Sequence, residues 1–155
     1  MKKIDLGQTL SLIANVGVIA GILLLVYELN QNRAMMEAQV RQQISQGVID
    51  GHFAVATNPE LSEIVADFSG RCTTMDECES AEEFRFNQWS NATFRTWENA
   101  HYQYRLGLYD QTEFSAQKES WRSTLTRPGI ANRWRSVRKN YSPEFAAEVD
   151  ALLPD

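Results

Sequence analysis

Few residues in this sequence are placed to do chemistry, and the best placed are the ends of Glu98-Asn-Ala-His101. Residues three apart on a helix share a face, and a Glu-x-x-His pair is half of the ligand set of the di-metal carboxylate sites built inside helical bundles. A whole site needs a second such pair and further inward carboxylates. The other histidine is His52, and the residue three before it is Ile49, so the set is not completed. The plainer expectation is a His101 held by hydrogen bonds in the core or at an interface, with no metal and no cofactor.

Cys72 and Cys78 stand six apart around Thr-Thr-Met-Asp-Glu. That spacing is not Cys-x-x-Cys, and no second cysteine or histidine pair completes a zinc site. Two readings stay open: a small disulfide loop in an oxidising compartment, or two unbridged buried thiols. Met35 and Met36 with His101 are conceivable haem ligands, but methionines beside an apolar stripe are ordinary packing residues. No Gly-rich phosphate loop, Gly-x-Ser-x-Gly elbow or His-Glu-x-x-His motif occurs. The aromatic residues Trp89, Phe94, Trp97, Tyr102 and Tyr104 either line a small pocket, with Glu98 and His101 as its reactive groups, or pack a core.

The elements that carry these residues divide into an anchor and a domain. From Leu6 to Tyr27 there is no charge, a run of 22 residues. As a helix it reaches about 33 Å, enough to cross a hydrocarbon layer of about 30 Å. A secretory signal would have a shorter apolar region and an Ala-x-Ala-like cleavage site, and none follows before Glu28. An uncleaved transmembrane helix over residues 1–30 is expected. Within it Gln8, Ser11 and Asn15 share one face, and Ala14, Gly17 and Gly21 lie on an adjacent one. Gly17 and Gly21 fit the small-xxx-small pattern that lets membrane helices approach closely; two readings stay open there, self-association or contact with another membrane protein, and the ordinary occurrence of Gly and Ala in membrane helices without any partner. Lys2 and Lys3 before the span balance Arg33 and Arg41 after it, leaving orientation almost undetermined; the cysteine pair tips the domain towards the periplasmic side of the cytoplasmic membrane.

Residues 31–155 read as one all-helical soluble domain. No Gly or Pro interrupts Glu28 to Gln46, so the anchor can run straight on, with Met36, Val40, Ile44, Val48 and Val55 as its apolar stripe and Gly47 and Gly51 weakening its later turns. Asn58-Pro59-Glu60 caps a short helix that ends at Ser69-Gly70. Ser80-Ala-Glu-Glu83 reads as a capping box opening the central helix, whose stripe is Phe86, Trp89, Thr93, Trp97, Ala100, Tyr104 and Leu108, widened by Phe84, Phe94 and Tyr102 and ending near Gly107. Asp110 or Thr112 caps the next helix, Pro128 opens another, and Ser142-Pro143-Glu144 opens the last. No alternating pattern supports a sheet. The fold class is therefore all-α, one transmembrane helix continuing into a small soluble bundle.

Charge narrows the partners. A formal net charge of −5 argues against nucleic acid, which requires a concentrated cationic surface. Acids crowd Glu60 to Glu83, while Arg122, Arg127, Arg133, Arg135, Arg138 and Lys139 crowd a later stretch. These patches face each other, stay solvated, or offer a basic surface to anionic lipid or an acidic partner.

The order of the uncharged span, Tyr27-Glu-Leu-Asn-Gln-Asn-Arg33, Trp97-Glu-Asn-Ala-His-Tyr-Gln-Tyr104, Gly107-Leu-Tyr109, Trp121 to Pro128 and Ser142-Pro-Glu-Phe145 resembles a family of small uncharacterised bacterial membrane-anchored proteins found in marine and other proteobacteria. The resemblance covers nearly the whole chain and implies its layout, with no reaction and no functional residue attached. The functional expectation is a membrane-anchored interaction or accessory module with the lipid bilayer as one partner. The alternatives are a ligand sensor or enzyme using an aromatic pocket near Trp97 and His101, and a structural subunit of a larger membrane complex.

Overall fold

A computed structural model describes residues 6–70 and 80–154. Helix α1 runs Leu6–Thr57, α2 Pro59–Gly70, α3 Ser80–Arg105, α4 Gln111–Leu125 and α5 Pro128–Val137; a 3-10 turn over Arg138–Asn140 leads to α6, Pro143–Asp150. Among the described residues there is no strand, and the chain is all-α. It divides into two units, Met1–Gln39 and Val40–Asp155.

The first unit is the earlier part of α1. The charge-free run continues as helix without a break into the next stretch, and Gly47 and Gly51 do not interrupt it. Every described side chain from Gly7 to Gln39 is exposed. The helix is long enough and apolar enough to cross a membrane, and none of its apolar window is buried by protein. At the end of the charge-free run the Tyr27 hydroxyl accepts from Gln31 Nε2 at 2.7 Å, and one turn later Arg33 pairs with Glu37 at 3.0 Å.

The second unit closes on an aromatic core. Phe94, Trp134 and Phe145 are fully buried; the Phe94 ring meets Trp134 edge-on at 5.2 Å, and Trp134 meets Phe145 at 5.5 Å. Trp97 stacks on Trp121 at 5.2 Å and Tyr104 on Phe114 at 4.2 Å. Such edge-to-face and stacked pairs add specific attraction to the burial of large apolar surface. Val40 and Ile44 bring α1 into this core, while Ile64, Val65 and Phe68 bring α2.

The expected stripe of α3 lies largely in the core, with Phe86, Trp97 and Ala100 buried and Trp89, Tyr104 and Leu108 packed against it, but its centre is shifted. Phe94 lies at its centre with Ser90, Trp97 and His101, all buried, whereas Phe84 and Tyr102 stand a whole number of turns apart on the outer line and are exposed. Local signals set the helix ends. Gly107 takes φ 67°, and the amides of Gly107 and Leu108 return to Tyr104 O at 2.9 Å and Gln103 O at 3.0 Å, a Schellman closure that needs the left-handed conformation. Asp110 caps α4 by accepting from the amides of Thr112 at 2.8 Å and Glu113 at 3.2 Å. Asn58 caps α2 through the Leu61 amide at 3.1 Å. The Ser142 side chain makes no capping bond, contrary to the parallel with Asn58, because another group controls that turn. The Ser80 side chain, and so the capping box, lies outside the described residues.

Trp134 is fully buried and donates its indole N–H to Asp150 at 2.9 Å; Asp150 also pairs with Arg138. Asp150→Ala therefore strands a buried donor and should lower unfolding free energy by about 1–3 kcal/mol, read as a lower urea midpoint with an unchanged slope in detergent micelles.

Candidate functional site

Glu98 and His101 lie on α3 as the spacing requires, but their surroundings differ. Glu98 faces the turn before α6. Its Oε1 accepts from the Ser142 amide at 3.0 Å, and its Oε2 accepts from Arg95. Arg95 also donates to Asn140 O at 3.1 Å, with its guanidinium 4.3 Å from the centre of the Tyr141 ring. Burial pushes the Glu98 carboxyl upward, but the Ser142 amide and Arg95 outweigh it and hold the group below its ordinary value. Glu98 and Arg95 thus tie α3 to the Arg138–Asn140 turn and the start of α6. Ser142 was expected only to open the last helix and Arg95 was not singled out; the only signal was an arginine three residues before the glutamate.

His101 points into the core, 6 % exposed, with its ring 5.7 Å from Phe145 and 6.1 Å from Phe114. Burial lowers its pKa; Glu148, Glu144 and Glu98 oppose that shift and Arg105 reinforces it. Of the carboxylates near it, Glu98 is engaged with Ser142 and Arg95, and Glu148 with Lys118 at 2.5 Å. No group of three metal-ligating side chains occurs among the described residues. Trp97 is likewise in the core, stacked on Trp121, so of the aromatic residues expected to line a pocket Phe94, Trp97 and Tyr104 pack into the core, Tyr102 is exposed and Trp89 borders a depression elsewhere.

The described depression lies elsewhere, at the junction of α2 and α3. It encloses about 380 Å³ and is lined by Asn58, Glu60, Leu61, Phe84, Arg85, Gln88 and Trp89, with Arg85 paired to Glu60 at the rim. Its sequence signal was the capped start of α2 and Phe84, an aromatic residue that the core leaves out.

The remaining expected residues stay apart from these groups. Gly17 and Gly21 face open space, with nothing within 4 Å of a Cβ built on either. Cys72 and Cys78, and the bridge proposed between them, lie outside the described residues. Of the basic stretch, Arg122 pairs with Glu119 and Arg138 with Asp150. Arg133 is half-buried and donates to Asn91 at 3.2 Å. Arg127, Arg135 and Lys139 are exposed, with no acidic partner among the described residues.

The depressed pKa of His101 makes a signed prediction. The folded state takes up that proton less readily than the unfolded chain, so stability is full above the ordinary value of 6.5 and is lost as pH falls through and below it. Melting temperature should therefore drop between about pH 7 and pH 5, and His101→Gln should flatten that slope. Glu98→Ala should cost about 1–2 kcal/mol near neutral pH by unpairing the Ser142 amide and Arg95, measurable in the same melts. Compared with known proteins, the chain matches no family, no curated protein and no solved structure.

Proposed function

We propose that this protein is a membrane-anchored helical interaction or accessory module, held by α1 in the cytoplasmic membrane with its bundle on the periplasmic side. One observation carries the reading: α1 is free of charge from Leu6 to Tyr27 and none of its apolar window is buried among the described residues, while the bundle completes a core of its own. An isolated helix of this kind is stable in lipid, where its backbone groups are paired internally and its side chains match the solvent. Exposed Tyr27 at the end of the run suits the interface, where aromatic side chains with a polar tip concentrate. The resemblance to small bacterial membrane-anchored proteins agrees with this layout.

The role that follows is recruitment. Anchoring raises the local concentration of the bundle near other membrane-bound components, and the open positions at Gly17 and Gly21 leave room for a second helix to approach. Exposed Arg127, Arg135 and Lys139 and the α2/α3 depression are the surface features available to a partner. Chemistry is not the role supported here, because Glu98 is spent on the α6 turn and His101 on the core.

Membranes from cells expressing the full chain test the anchor. The protein should stay with the bilayer through an alkaline carbonate wash, float with lipid and leave only with detergent. Ile19→Arg with Leu23→Arg, each costing about 2.5–3.5 kcal/mol in a spanning helix, should shift it to the aqueous or aggregated fraction. Recovery of the unaltered chain in the aqueous fraction rejects the anchor. After reduction, labelling of Cys72 and Cys78 in intact cells by a membrane-impermeant maleimide should succeed; labelling only after lysis places the bundle in the cytoplasm.

A further inference from the structure

Asn15 is left unexplained by anchoring alone. Its carboxamide brings two donor hydrogens and an acceptor oxygen into the charge-free run. It is exposed and has no hydrogen-bond partner among the described residues. Nine residues from Leu6 and twelve from Tyr27, it lies about 14 Å and 18 Å from the ends of the run, close to the mid-depth of a hydrocarbon layer. Lipid tails offer it nothing, and its side chain is too short to reach the interface, so another protein group must satisfy it.

The line of α1 through Asn15 indicates which protein. From Gln8 through Ser11, Asn15, Val18 and Ile22 to Met36, steps of three and four alternate without a break, and these side chains are exposed. That repeat, which also carries Asn32 beyond the span, lets two helices wind about each other with side chains interlocked, and an asparagine at such a position within the span sets register and partner number. Just beyond the span, Glu28 and Arg33 flank the line on opposite sides, five residues apart. In a parallel pair this spacing sets the acid of one chain against the base of the other. Glu28 has no ion-pair partner among the described residues, and the Arg33–Glu37 pair is exposed, so an exchange of partners is open. Two copies inserted the same way can pair only in parallel, and a carboxamide is complementary to its own copy.

We infer that α1 pairs with a second copy of this chain along the Asn15 line, the two Asn15 carboxamides hydrogen-bonding near the middle of the bilayer. This rests on the anchoring proposal and names its partner. Gly17 lies on the far side of this line, whereas Gly21, seven residues before Glu28, flanks it.

The test uses energy transfer between full-length chains carrying donor or acceptor fluorescent proteins at the C-terminus, in bilayers at graded protein-to-lipid ratios. The unaltered chain should transfer above random proximity. Asn15→Leu should raise the dissociation constant about tenfold, Asn15→Gln should retain association, and Gly17→Ile should leave it unchanged. An unaltered chain with no transfer above random proximity overturns the inference, as does Asn15→Leu associating like the parent. Loss of transfer in the glycine variant overturns it too, by moving the contact to that face. Flotation of every variant separates these outcomes from failure of the anchor, which would take the parent chain out of the bilayer altogether.

Discussion

The constraint on which the structure depends is that the apolar surface of α1 before Val40 is left bare by the described residues. No described residue covers the large apolar side chains from Leu10 to Leu29, whereas Phe94, Leu125, Ile130 and Val149 in the bundle are buried. A helix satisfies its own backbone amides and carbonyls at every interior position, so its stability in a given solvent is decided by its side chains. In water this run would be a large exposed apolar surface of the kind that drives association. In hydrocarbon it costs nothing, and only the few polar side chains along it need partners. That reversal makes Gln8, Ser11 and Asn15, ordinary on a soluble helix, the residues with most to gain from a neighbour.

The bundle works under the opposite constraint. With one short core to close, it relies on large rings: four of its fully buried side chains are Trp121, Trp134, Phe94 and Phe145, and these meet edge-on or stacked. Several polar groups have a partner built in, although the buried Trp121 indole N–H has none among the described residues. Trp134 reaches Asp150, Lys118 reaches Glu148, and Glu98 takes both the Ser142 amide and Arg95. The carboxylate that seemed available for metal chemistry is thereby the joint that sets the α6 turn. His101 is accommodated by remaining neutral, which links the packing of α3 against α4 and α6 to proton concentration.

Features visible along the chain are those governed by a few consecutive residues. The charge-free run, the uninterrupted continuation past Glu28, the proline-opened helices at Pro59, Pro128 and Pro143, and the stop at Gly107 all follow from backbone geometry and local composition. Tertiary structure alone decided which face of α3 is buried, since periodicity marks a helix without fixing the rotation that neighbours impose: Phe94 became the centre, and Phe84 and Tyr102 were left outside. It alone decided that Glu98 serves the Ser142 amide 44 residues away and that Trp97 and His101 fill space instead of lining a cavity. Hydrogen-bond partners distant in sequence and the filling of a core depend on how helices pack together, and no spacing within one helix carries that information.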